Sequence, residues 1–409
     1  MNLVIRSRLR QYALLALSAI IVLILVTRAA NNWLSYVYAG DPPPKGLKEA
    51  AVLEPNNSEF YFLLAQYYDS CDFTTPRTEV ARLYKKSLEL NPLNYNYWFY
   101  LAEFLSRQGE KEKAVYALNQ STGLSPGVVS LRWAAGMLAS KLGDKDALLD
   151  NLVPVMAYDA DRRNKAFTIL WQSLRKGDDI RKVLPTEAVP DYMKFLIKTK
   201  RVPETYQIWS DHKNLVDYNL YMLMMNFLIY QNSIDLAKNA WTDRMGAWDG
   251  IWNGKFEKNI NNNGFDWTIS DLDGIKITTP AEAGKGNSLR IEFDGSANFD
   301  FYHFRQVVPV EENTSYTLTS DLKSEDLTTR NGVFWEVYCL HGDDLYARSE
   351  QTFGTTGWHK GSLSFTTPSG CTSAVIRLRR FKTDIDAPFS GSLWIDNVEL
   401  KKNGSGGIR

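Results

Sequence analysis

Residues 92–126 run PLNYNYWFYLAEFLSRQGEKEKAVYALNQSTGLSP, and their spacing decides the first half of the chain. Trp98, Leu101, Ala102 and Leu105 recur at the spacing of one helical face, Ala114 and Leu118 continue on a second helix, and Pro92 and Pro126 punctuate the ends. A copy precedes this unit, with Tyr61, Leu64, Ala65 and Tyr68, then Val80, Tyr84 and Ser87, stretched by a three-residue insertion within 69–75. A fainter copy comes after it, with Trp133, Ala135, Gly136 and Ala139. Ala65, Ala102 and Gly136 fall where paired helices cross, because only a short side chain lets the backbones approach.

The pattern resembles the tetratricopeptide (TPR) repeat. That resemblance implies an α-solenoid whose stacked helix pairs bury a common seam and whose concave groove takes a protein segment, with no reaction machinery of its own. Helical periodicity continues through 165–174, 191–198, 204–209, 218–230 and 234–244, with prolines at 154, 185, 190 and 203 expected at breaks or helix starts. Residues 218–230 are apolar nearly all round, which predicts a helix buried between the solenoid and the C-terminal region. A second membrane span is the alternative, against which Asn219 and Asn226 interrupt the run.

Arg6, Arg8 and Arg10 precede an uncharged apolar run over 12–26, extended toward Trp33, Tyr36 and Tyr38. The run seeks a membrane, and its basic flank is expected to stay in the cytoplasm. An uncleaved anchor over 12–34 is the reading, after a basic tail at 1–11; a cleaved signal peptide with 37–39 as its small-residue site is the rival. Asp41-Pro-Pro-Pro44 reads as the core of a stiff spacer, 35–46, that holds the remainder off the bilayer in a bacterial periplasm. With 47 basic and 47 acidic residues, the chain has no general electrostatic reason to bind nucleic acid. Cys339 and Cys371 can pair in an oxidising compartment, leaving Cys71 unpaired.

Around 245–254 the texture switches to a two-residue alternation, a domain boundary that leaves 47–248 to the solenoid. Candidate strands at 288–293, 302–310, 315–322, 333–340, 361–366, 374–381 and 392–400, divided by Gly, Pro, Asn and Asp turns, predict an antiparallel β-sandwich, a jelly roll, over 249–402 before a flexible tail at 403–409. The fold class is thus multidomain α plus β: a transmembrane helix, a TPR-like α-solenoid and a β-sandwich.

The sandwich region also resembles carbohydrate-binding modules of the family 4, 9 and 22 type, which share the galactose-binding-like jelly roll. The resemblance rests on Trp252-Asn-Gly-Lys-Phe-Glu257 with Gly264-Phe-Asp-Trp267 at the opening, Phe304-Arg-Gln-Val-Val-Pro-Val310 with Tyr316-Thr-Leu318 in the middle, and Leu393-Trp-Ile-Asp-Asn-Val-Glu-Leu400 at the close. It implies a polysaccharide partner and a structural calcium tying the first strand to the last, held by Glu257 and Asp396; Asn397 stands where the family has a second acid. The alternative for both carboxylates is hydrogen bonding at a strand end. No cofactor is otherwise required.

A sugar site needs flat aromatic faces and polar side chains on one sheet face. With Ile376, Leu378, Val333, Trp335, Val337, Phe304, Gln306 and Val308 inward, alternation places His303, Arg305, Phe334, Glu336, Tyr338, Arg377 and Arg379 on the open side, and Trp358 in a loop before a strand. The competing reading has Glu336 in a solvated ion pair with Arg377 or Arg379 and the aromatics covering the sandwich or meeting the solenoid. Asp343-Asp344 beside His341 reads as a turn, the histidines follow no metal-ligand spacing, and no catalytic motif is evident.

These features together suggest a single-pass inner-membrane scaffold, not an enzyme, with a protein partner in the groove and a glycan on the sandwich, in exopolysaccharide or other envelope-polysaccharide assembly. The alternatives are a pure protein-interaction scaffold and a carbohydrate-active enzyme.

Overall fold

In the computed structural model, which describes residues 8–403 apart from 73, 280, 283–285, 329, 343–344 and 383–387, the helical part begins with α1 (Arg8–Ala39). By length and composition α1 can cross a membrane. At ~1.5 Å per residue it runs roughly 48 Å, beyond the ~30 Å of a hydrocarbon core. The excess is put to use: Ser35 is buried and Tyr36 meets Phe60 edge-on at 5.8 Å. No stiff spacer succeeds it. Residues 40–44 form turns that fold α2 (Lys45–Leu53) back on the end of α1, with Gly46 so near the Tyr38 carbonyl that a Cβ would strike it. Burial of Leu47, Ala50 and Ala51 on α2 outweighs the extended preference of the prolines.

Three helix pairs come next: α3 (Ser58–Ser70) with α4 (Arg77–Leu90), α5 (Tyr95–Arg107) with α6 (Lys111–Leu124), and α7 (Val129–Leu142) with α8 (Lys145–Tyr158). The starts of α3, α5 and α8 are set by side-chain caps: Asn57, Asn94 and Asp144 accept from the amides of Glu59, Asn96 and Ala147. The small residues lie at crossings as expected. Ala65, Ala102 and Ala114 are fully buried, and a Cβ on Gly136 would run into Leu152. The Ser121 hydroxyl donates to the Tyr95 carbonyl at 2.7 Å, Trp98 ties its helix to the preceding turn by donating to the Pro92 carbonyl, and Phe62 stacks on Tyr97 at 4.4 Å between successive pairs. Leu64, Tyr84, Leu101 and Leu118 fill the seam. Pro154 is not a break. It sits inside α8, held there by buried Leu152, Val155 and Met156 around it.

After α9 (Ala160–Leu174) and α10 (Gly177–Val183), the chain divides into two compact units between Tyr192 and Met193, inside α11 (Val189–Lys198). That division lies well before the change of texture at 245–254. Thus α12 (Val202–Asp211), α13 (Tyr218–Tyr230) and α14 (Ile234–Met245) share a unit with the sandwich. The cause is an aromatic cluster: the Trp241 ring lies 5.3 Å from Trp252, 5.8 Å from Phe265 and 6.2 Å from Trp248. Asn226 of α13 adds a two-way bond to the sandwich, donating to Asn263 and accepting from the Gly264 amide, both at 2.9 Å.

Among the described residues the sandwich has twelve strands: β1 (Thr268–Ile269), β2 (Ile275–Thr278), β3 (Ala281–Glu282), β4 (Gly286–Asn287), β5 (Leu289–Asp294), β6 (Phe301–Pro309), β7 (Ser315–Leu327), β8 (Phe334–Cys339), β9 (Tyr346–Arg348), β10 (Gly354–Thr366), β11 (Ser373–Arg380) and β12 (Ser390–Lys402). They pair antiparallel in two five-stranded sheets, β1-β6-β11-β8-β9 and β10-β7-β12-β5-β2, with β3-β4 as a separate hairpin. Alternate residues of both sheets fill one core, where Trp267 stacks on Phe304 at 4.4 Å beside Phe256 and Trp335. Cys339 and Cys371 form a disulfide at the edge of this core, and Cys71 is free and exposed.

Candidate functional site

The sheet β1-β6-β11-β8-β9 turns its second face outward, and register alone assembles the site there. Thr268 pairs with Arg305, Arg305 with Arg377, Arg377 with Glu336, and Glu336 with Arg348, which makes one row across five strands. The next row holds Val307, Val375, Tyr338 and Tyr346. Ile376, Leu378, Val333, Trp335, Val337, Phe304 and Val308 lie in the core as alternation requires. Gln306 is buried too, but spends its amide on the backbone of Trp252, accepting from the amide at 3.1 Å and donating to the carbonyl at 2.8 Å.

The face is less open than alternation suggests. Glu336 is only 1% exposed, takes the Arg377 guanidinium as its ion-pair partner, and accepts from the Tyr346 hydroxyl. The pair is therefore anchored at a buried carboxylate rather than solvated. Arg377 also covers the Tyr338 ring, 4.7 Å from its centre. Phe334 is buried against Phe381, and Arg379 is buried in a bridge to Asp300 at 2.7 Å and to the Phe301 carbonyl. These two side chains are structural, not displayed. His303 is half-buried with Tyr302 stacked on it at 4.4 Å, and burial pushes its pKa below the ordinary histidine value. Trp358 is in neither a loop nor this sheet. It sits within β10, because that strand begins seven residues earlier than the 361–366 reading allows.

The end of α13 walls one side of the face. Ile229, Tyr230 and Asn226 enclose, with Thr268, Arg305 and Val307, a cavity of about 90 Å³. His341 Nε2 lies 3.3 Å from the Ile229 carbonyl, and Thr372 donates to Asn232. Asp343 and Asp344 lie outside the described residues. Tyr230, Thr268, Tyr346 and Arg348 are additions that the sequence reading missed. The only signal for the last two is a three-residue alternation around Ala347, which packs against the core.

Glu257 and Asp396 are engaged separately. Glu257 accepts from the Asn287 amide at 3.3 Å, and Asp396 accepts from the Asn397 amide and side chain. Among the described residues no group of three or more His, Cys, Asp or Glu side chains converges. A calcium here would take most of its roughly six to eight oxygens from backbone and water.

In the solenoid unit, Gln66, Ser70, Tyr100, Glu103 and Arg107 line a cavity of about 560 Å³ between α3 and α5. Its floor is the Asp69 carboxylate, which pairs with Arg107 and lies 3.6 Å from Arg77. The Tyr84 hydroxyl donates to Asp69 at 3.4 Å, and burial raises its pKa. The inserted segment is pinned by Asp72, which accepts from the Thr74 amide and the hydroxyls of Thr74 and Thr75.

A tetratricopeptide repeat family model matches residues 83–116. A TPR protein structure from Parabacteroides merdae is 15% identical, with 55% of this chain and 94% of that one covered at a TM-score of 0.32. The family 22 xylan-binding domain of Paenibacillus barcinonensis Xyn10C is 16% identical, covering 38% and 96% at 0.26, and a family 4 carbohydrate-binding module is 16% identical, covering 37% and 99% at 0.29. A curated relative, the tRNA(Glu)-specific nuclease WapA of Bacillus subtilis subsp. natto, is 27% identical over 184 residues. The match takes in 42% of this chain and only 7% of that protein.

Proposed function

We propose that this chain is a membrane-anchored scaffold of a bacterial cell envelope, in which the TPR-like solenoid takes a protein segment and the sandwich takes a glycan, within polysaccharide assembly. The observation that carries the glycan reading is the outward row on β6, β11, β8 and β9: cations and tyrosine faces on a rigid sheet, walled by α13. Tyr346, which is exposed, and the part of Tyr338 that Arg377 leaves uncovered supply flat apolar surface, and arginine forks supply directed donors for hydroxyls or acids. Anchoring rests on α1, and the disulfide fits a soluble part outside the reducing cytoplasm. An alkaline phosphatase fusion at the C-terminus tests that topology: active enzyme in intact cells is expected, and an inactive fusion contradicts it.

The glycan reading is tested by electrophoresis of the detergent-solubilised full chain through gels containing single polysaccharides. Retardation by at least one, lost in the Tyr338→Ala/Tyr346→Ala variant, is expected. Unchanged migration in all of them would leave the second reading, a scaffold that binds protein alone. The burial of Phe334, Glu336 and Arg379 on the same face favours that second reading. Neither reading includes chemistry, since no catalytic constellation stands out around either cavity; tRNA cleavage by the purified chain would overturn this.

A further inference from the structure

We infer that the sandwich face selects an acidic glycan, a sugar chain bearing carboxylate or sulfate groups, with Arg305 and Arg348 as the residues that read the charge. The inference rests on the glycan reading above and narrows its substrate class. The decisive feature is how charge is balanced on the two sheets. On the outer face of the other sheet, basic side chains have acidic neighbours: Arg290 with Glu292 at 2.8 Å, Lys360 with Asp321 at 3.0 Å, Lys401 with Glu399 at 2.6 Å. On the candidate face three arginines share one row with a single acid, and that acid is consumed by Arg377. Among the described residues, Arg305 and Arg348 form no ion pair.

Arg305 is moreover directly opposite Arg377 on the neighbouring strand. Like charges in that position repel and destabilise a sheet, and Glu336 offsets only the charge of Arg377. A negatively charged group at the Arg305 guanidinium, the one of the two that lacks an acid, offsets the repulsion and gains charge-assisted, forked hydrogen bonds. Three strand spacings separate Arg305 from Arg348, about 14 Å, a reach longer than one sugar ring. The two cations therefore address separate acids along one chain, with Tyr338 and Tyr346 beside them to receive ring faces. Tyr230 and Asn226 close the Arg305 end.

The test is calorimetry on the full chain in detergent with polygalacturonate, the same polymer after carboxyl reduction, dextran sulfate, neutral dextran and xylan, and poly-glutamate. Binding to polygalacturonate or dextran sulfate, weakened by salt and lost on carboxyl reduction or on the neutral polymers, is expected; which of the two binds identifies the acid. Arg305→Gln and Arg348→Gln should each weaken binding about tenfold, with Arg305→Lys retaining part of it. Arg305→Gln should leave the melting temperature unchanged or raised, which separates loss of binding from loss of fold. Equal binding of neutral and acidic glycans overturns the inference and leaves the glycan reading intact. Binding of poly-glutamate as tight as that of the acidic glycans also overturns it, as mere charge. No binding to any polymer removes both.

Discussion

Asp266 shows how one position can set a pH response. It is buried, its carboxylate accepts from the amides of Asn261 and Trp267 at 2.8 Å, and burial nonetheless pushes its pKa up to about 6. The folded value exceeds the unfolded one, so its contribution to stability is complete below about pH 4 and is lost as pH rises through about 6. The loss is on the order of 2–3 kcal/mol. Denaturation should therefore show the stability of the wild type falling relative to Asp266→Asn between pH 4 and 6; superimposable profiles would contradict this. Gly264, two residues away, has a positive φ of 65° and lies against the Trp241 ring, where a Cβ would collide. Gly264→Ala should cost roughly 2–4 kcal/mol from left-handed strain and overpacking together, measured as a lowered unfolding midpoint. Neither effect is legible in the sequence, where Gly264-Phe-Asp-Trp267 stands only as part of the opening of the module resemblance, because both arise once Trp241 and Asn261 are brought against it.

Among elements, those with a long period were legible and short or tertiary-determined ones were not. Helices α5 and α6 emerge from the repeat because apolar residues recur at every turn, and α7 from its fainter copy. Strands β6, β7, β8, β11 and β12 emerge from alternation. By contrast, β1 and β9 hold two and three residues, too few to show a period, yet they complete the candidate row at both ends. Pro154 stays within α8 because neighbouring burial prevails over local preference. Asn226 looked like an interruption of an apolar helix and is instead what binds α13 to the sandwich. The disulfide clamps β8 to the lead-in of β11 across 32 residues. By loop closure alone, removing it should cost roughly 3–4 kcal/mol. Urea unfolding of the Cys339→Ser/Cys371→Ser variant against the wild type checks this, and equal midpoints would contradict it.

For the whole molecule, the sequence announces an apolar helix, a helical array and a sandwich, and all three are present. What it obscures is where the compact units begin. The change of texture at 245–254 marks the last helix, whereas the Trp241 cluster carries α12 to α14 into the sandwich's unit. That reassignment gives the candidate face its wall, so the site is a property of packing more than of any motif. Hydrogen–deuterium exchange on the full chain, with and without saturating acidic glycan, tests the central claim most directly. The prediction is new protection at residues 302–307, 334–338, 346–348 and 375–379 and at the end of α13, with β10 unchanged. Protection confined to β10 and β7, or none at a concentration where binding is saturated, would contradict it.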